Sequence, residues 1–242
     1  MTPQRTAKLD RRLVADTALR LLGELGLEGV TLRAIAAELN VKAPALYWHF
    51  KDKQALLDEM ATEIMRRMTA DLSHLIEPSA PAQAQANATA QGVPAEAGEW
   101  AGEQDWRPTY LGTMRTLRAH LLRYRDGARV YSGARFTDRS YAPNLDASLR
   151  LLVRAGFSVA AASRAWYTGY TYTIGYVVEE QAMGPNPFDG TDGYDLDARA
   201  ERLADYPLAA AAGSEMFRDY EQGFEQGLAL VLAGVEATLS PH

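Results

Sequence analysis

Between Leu46 and Phe50 the chain carries Tyr47, Trp48 and His49 in succession, with Arg33 upstream and Lys51 and Lys53 just beyond. Three aromatic side chains cannot all be buried on one short helix. Some must be exposed, and exposed rings beside cations suit a nucleic-acid surface. The competing reading is that these rings pack a small hydrophobic core. Other chemistry has little to stand on. The four histidines (His49, His74, His120, His242) are scattered, with no H-x-x-x-H spacing, and cysteine is absent. No G-x-S-x-G motif or phosphate loop is present. We therefore expect no enzyme: no catalytic residue, no metal ligand set and no cofactor.

A second group of chemically versatile residues lies far downstream. Trp166, Tyr167, Tyr170, Tyr172 and Tyr176 fall on or near one helix, and Tyr110, Tyr131 and Arg135 could join them. Aromatic faces with a few hydroxyl handles suit a flat, partly polar small molecule. The alternative is that these rings are packing between helices.

The elements that must position these residues are helical. Val14, Ala18, Leu21, Leu22 and Leu25 mark an amphipathic helix over about 8–25, with Gly26 as a left-handed stop. Thr31 caps a short helix that ends at Asn40. A second short helix over 43–50 has Pro44 in its first turn, with Leu46 and Phe50 facing inward. Asp52 caps a longer helix running to about 75. Residues 76–105, rich in Pro, Ala, Gln and Gly, read as a flexible insert. Helices are expected again at 106–125, 141–154, 159–182, 198–211 and 214–238, with a Gly/Pro/Asp-rich loop at 184–197. No strand alternation stands out. The expected class is all-α: a three-helix, helix-turn-helix DNA-binding head (1–58) and a larger helical body (59–242).

Bulk properties agree. The net charge is −6, yet residues 1–60 hold nine Lys/Arg against eight Asp/Glu, and all four lysines lie within the first 53 residues. A less acidic head on an acidic body fits a DNA contact confined to the head. With no cysteine, no apolar run of membrane length and no signal-peptide core, the chain is expected to be cytoplasmic and free of membrane.

The stretch 31–53 resembles the head of the tetracycline-repressor family, most specifically in Leu46-Tyr47-Trp48-His49-Phe50-Lys51-Asp52-Lys53. The resemblance implies roles. Arg33 would reach a base edge, and Ala43, Pro44 and Ala45 would approach bases through apolar contact. Tyr47 and His49 would bind phosphates, Trp48 would lie near a base or sugar, and Lys53 would hold a phosphate at a helix N-terminus. The chain departs from the tetracycline repressors at Leu32, Ala43 and Ala45, where they have polar residues. A different operator is expected.

The resemblance continues through Arg125-Asp126-Gly127-Ala128-Arg129-Val130, Gly133-Ala134-Arg135, Gly156-Phe157-Ser158, 175–181 and 224–228, covering about 8–75 and 106–238. It implies a homodimer, built on the 159–182 helix and the last helix, that binds a palindromic double-stranded operator. It also implies a small-molecule effector at Thr113, Leu117, Tyr131, Ala134, Arg135, Trp166, Tyr167 and Tyr170. The tetracycline repressors use a metal-ligating His at the position matching Tyr131, an Asn at that of Thr113, a Phe at that of Leu117 and a Thr at that of Ala134. Neutral Tyr is a poor ligand for a hard cation. The expected effector is therefore aromatic but not magnesium–tetracycline. A DNA-binding regulator, repressor or activator, with no small-molecule effector is the alternative.

Overall fold

The computed structural model describes residues 9–76, 105–185 and 193–239. Every regular element among the described residues is an α-helix. They are α1 (Arg11–Gly29), α2 (Leu32–Glu38), α3 (Ala43–Tyr47), α4 (Lys53–Ile76), α5 (Arg107–Leu122), α6 (Gly127–Tyr131), α7 (Ala142–Arg154), α8 (Val159–Met183), α9 (Leu196–Arg202), α10 (Pro207–Phe217) and α11 (Tyr220–Leu239).

Local chemistry explains most boundaries. The side chains of Asp10, Thr31, Asp52, Ser158, Asp195 and Asp219 each accept a backbone N–H at a helix start. Asn40 and Asp126 take left-handed backbone at φ 51° and 55°, turning the chain between helices. Gly26 is left-handed as expected, at φ 66°, but it kinks α1 rather than ending it.

Three further expectations need correction. The short helix expected over 43–50 stops at Tyr47, and Trp48 to Phe50 close it as a turn, with the His49 and Phe50 amides donating to the Leu46 carbonyl. The single helix expected over 198–211 is two. Pro207 has no N–H to continue α9 and its ring excludes helical backbone before it, so the chain turns at 203–206 and restarts. The last helix begins at Tyr220 rather than at 214, because α10 occupies the interval. Of the insert expected at 76–105, residues 77–104 lie outside the described residues, as do 186–192 of the expected loop.

Two cores organise the molecule. The larger runs without a break from Val14, Leu22, Ile35, Leu46 and Phe50 in the head to Ile64, Leu117, Tyr131 and Val177 in the body. Helix α4 passes through residues 58 and 59 as one uninterrupted element, with Leu56, Met60 and Ile64 buried along it. The smaller core joins α5, α7, α8 and α11 around Trp106, Phe157, Ala165, Phe224 and Leu228.

Candidate functional site

In the head, α3 is held from beneath. Leu46 and Phe50 are fully buried, and the Arg11 guanidinium sits 4.5 Å over the Phe50 ring while donating to the His49 carbonyl. The residues between them are pushed outward: Tyr47 is 56% exposed and Trp48 is 91% exposed. An indole that exposed has no folding role to explain it. His49 is half-buried, Pro44 is exposed, and Ala43 and Ala45 are partly covered. Arg33 and Lys53 are exposed, and both line one open groove with Thr31, Tyr47 and Asp52. Lys53 is the first residue of α4, with Nζ 3.5 Å from the Leu27 carbonyl.

Beneath the head, α4 presents two buried carboxylates, Glu59 and Glu63. Glu59 receives Arg11 at 2.8 Å, Arg66 at 3.1 Å and the Thr137 hydroxyl at 3.0 Å. Glu63 receives Arg66 and Arg67, each at 3.1 Å, and pairs with Arg12. Burial alone would raise the Glu59 pKa. The hydrogen bonds from Arg11, Thr137 and Arg66 overcome it and hold the carboxyl below its ordinary value. Arg66 also grips Asp138 at 2.6 Å, and Thr62 accepts the Thr137 amide at 2.9 Å. One polar network thus connects α1, α4 and the 135–138 segment.

That segment borders a cavity of about 200 Å³ in the body. Its wall comes from α4 (Met65, Met68, Thr69, Leu72), α5 (Thr113), the stretch after α6 (Phe136, Tyr141), α7 (Asn144, Leu145, Ser148) and α8 (Trp166, Tyr170). The Trp166 and Tyr170 rings stack at 4.9 Å and 19°. Tyr131 stands behind Tyr170, fully buried, its hydroxyl 3.8 Å from Met65 Sδ. Burial pushes that hydroxyl well above the ordinary tyrosine range, with Tyr170 reinforcing the effect. Two buried polar atoms of wall residues, Thr69 Oγ1 and Trp166 Nε1, have no hydrogen-bond partner.

The expected ligand residues therefore divide. Thr113, Trp166 and Tyr170 line the cavity, and Tyr131 backs it. Leu117 is buried in the larger core, and Ala134 packs against that core. Arg135 is exposed, with its backbone amide on Asp58, and Tyr167 is 62% exposed with its ring 6.1 Å from that of Tyr170. The methionines and α7 residues of the wall went unanticipated. The α7 pattern, with Leu145, Ser148 and Leu152 at helical spacing, was the available signal.

The tyrosine series also divides. Tyr172 donates its hydroxyl to the Phe224 carbonyl at 2.9 Å, and Tyr176 donates to that of Tyr220 at 3.1 Å. Their hydroxyls lie directly against Gly227 and Gly223, where a Cβ would collide. Beside them Arg118, largely buried, pairs with Glu180 and Glu221 under the Phe224 ring. These two tyrosines tie α8 to α11 and line no part of the cavity. Tyr110 likewise donates to the Ala165 carbonyl at 2.9 Å.

Among the described residues no three His, Cys, Asp or Glu side chains gather as a metal site, and the cavity wall offers neither imidazole nor carboxylate. No helix among them is long and apolar enough to cross a membrane.

Residues 14–60 match the profile of bacterial regulatory proteins of the tetR family, and residues 100–239 match the tetracyclin repressor-like C-terminal domain. The tetracycline repressor protein class C of Escherichia coli is 36% identical over 95% of this chain and 91% of its own length. A possible TetR family transcriptional regulator from Streptomyces coelicolor A3(2) superposes with a TM-score of 0.70 at 32% identity, covering 94% of this chain and 99% of that one. A class A TetR in complex with 5a,6-anhydrotetracycline and magnesium superposes with a TM-score of 0.60 at 32% identity, covering 95% and 99%. The molecule is a helix-turn-helix transcriptional regulator. The chain belongs to the tetracycline-repressor family.

Proposed function

We propose that the chain is a cytoplasmic, homodimeric repressor that holds a palindromic operator and releases it when a small aromatic effector fills the body cavity. The observation that carries this reading is the shared 136–141 segment. Phe136 and Tyr141 form cavity wall, while Thr137 and Asp138 between them bond to Glu59 and Arg66 of α4. Filling the cavity would displace this segment, and the polar network would pass the displacement to Arg11 and so to the underside of α3. Release would then be a shift between two head arrangements rather than a local clash.

A second copy is supported by the outer faces of α8 and α11. Leu230 is 75% exposed, with Ala229, Ala233 and Gly234 exposed beside it, and α8 exposes Tyr167, Thr168, Thr171 and Gly175. Two heads one DNA turn apart, ~34–36 Å, would read the two half-sites. In each head Tyr47, His49 and Lys53 would hold phosphates while Arg33 and the Ala43–Ala45 turn face bases.

The magnesium of the class A relative does not transfer. A hard cation binds best to anionic oxygen, and this cavity presents neutral hydroxyls, an amide and thioethers but no carboxylate. No metal-dependent step is assigned.

The test is operator release. Fluorescence anisotropy on the intergenic DNA beside its own gene should show tight binding by a dimer, reversed saturably by an effector. DNA binding that no cavity ligand reverses would leave a regulator without an effector.

A further inference from the structure

The cavity wall carries information about the effector's chemistry beyond its aromatic character. Resting on the reading of this cavity as the effector site, we propose that it takes an uncharged, metal-free planar carbonyl compound whose oxygen accepts a hydrogen bond from Trp166 Nε1, with a second polar contact at the Thr69 hydroxyl.

Four observations lead there. No wall residue is charged: the polar groups are the side chains of Thr69, Thr113, Asn144 and Ser148, the hydroxyls of Tyr141 and Tyr170, and the Trp166 indole N–H. A charged group brought into such a wall would lose its hydration with no counter-ion to replace it. Trp166 Nε1 is buried without a partner, and indole N–H is a donor only, so an acceptor atom is what it lacks. Thr69 Oγ1 is buried and unpartnered on the opposing helix α4, while Asn144 Nδ2 already donates to the Thr69 carbonyl at 3.1 Å. Finally, Trp166 and Tyr170 stack on one another, which leaves one flat aromatic face of the pair for a planar ligand, and Met65 and Met68 line the same cavity with conformable thioethers. Flat shape, acceptor oxygen and absence of charge together describe a quinone-like or polycyclic ketone class.

The experiment compares 9,10-anthraquinone with anthracene, which has the same tricyclic outline without the acceptors. Binding to the full chain is followed by tryptophan fluorescence quenching and calorimetry in EDTA. The chain has no cysteine, so covalent capture by a thiol does not complicate the quinone. Wild type should bind anthraquinone at least tenfold more tightly than anthracene. Added magnesium should leave that affinity unchanged. Trp166→Phe, which keeps an aromatic ring and removes the donor, should weaken anthraquinone about tenfold and leave anthracene within twofold. Thr69→Val should weaken the quinone by a smaller factor.

Equal affinity of the two tricyclic compounds for wild type would overturn the proposal whether or not the variants fold. So would no binding by either, a requirement for magnesium, or equal weakening of both by Trp166→Phe. Operator DNA is not part of this measurement. A repressor released by an ionic effector would fail here and still satisfy the operator-release test, so the two readings fail separately.

Discussion

Thr137 donates its hydroxyl to Glu59 at 3.0 Å, and the same carboxylate oxygen accepts Arg11 Nε at 2.8 Å. One oxygen atom therefore joins a residue between two cavity-lining side chains to a residue that underpins α3. Thr137→Val retains the shape and the backbone bond to Thr62 while removing this link. Effector affinity, read by calorimetry, should stay within about twofold. The effector concentration that releases half the operator should rise about fivefold or more, matching a coupling loss of ~1 kcal/mol. Unchanged release would show that the signal takes another route.

Trp48 should separate folding from DNA binding. With its indole almost wholly in solvent, Trp48→Ala should alter stability by no more than about 0.5 kcal/mol. Operator affinity should fall in the same protein. Lys53→Ala should weaken all DNA sequences alike and flatten the salt dependence by about one unit of slope, whereas Arg33→Ala should relax preference at one base pair. Anisotropy titrations at several salt concentrations distinguish the three.

The two kinds of tyrosine on α8 should respond oppositely. Tyr172→Phe removes the bond to the Phe224 carbonyl and should cost about 1 kcal/mol in denaturant unfolding, with ligand affinity intact. Tyr170→Ala should abolish effector response and leave operator affinity in place, since Tyr170 lines the cavity. Gly169→Ala should destabilise by ~1–3 kcal/mol despite alanine's better helix propensity. Its Cβ would meet the buried Tyr110 hydroxyl and ring.

Acid should loosen the 135–138 segment. Burial would raise the Asp138 pKa, but the bonds from Ser140 and Arg66 bring it down to about 2 from an ordinary 3.8. A depressed carboxyl stabilises the fold above its unfolded pKa, and that contribution is lost as pH falls through the folded one. The melting temperature of wild type should therefore drop between about pH 4 and pH 2. Asp138→Asn should start lower and show a shallower drop over that interval.

Much of this was legible in the residues. Caps at Thr31 and Ser158, the left-handed Asn40, and the inward Leu46 and Phe50 are local signals, and the chain obeys them. The split at Pro207 was legible too, since proline marks a first helical turn. The cavity wall was less accessible. Met65 and Phe136 are seventy-one positions apart in sequence, and only the packing of α4 against the segment after α6 brings them to one wall. The tyrosine series misled in part because spacing on α8 does not say which neighbour each ring meets. Tyr170 faces α4 and α7, while Tyr172, two residues on, reaches α11.

The unbroken core from Val14 to Val177, carried on α4, has a consequence for anyone recombining such proteins. The sequence alone suggests a head that ends near residue 58, but the underside of α3 is finished by Glu59, Glu63 and the segment that holds them. A chimera joined at that position would sever the head from its own foundation. Grafts should keep α4 whole and carry residues 135–138 with it, so that the transplanted head keeps the carboxylates and guanidiniums that close its underside.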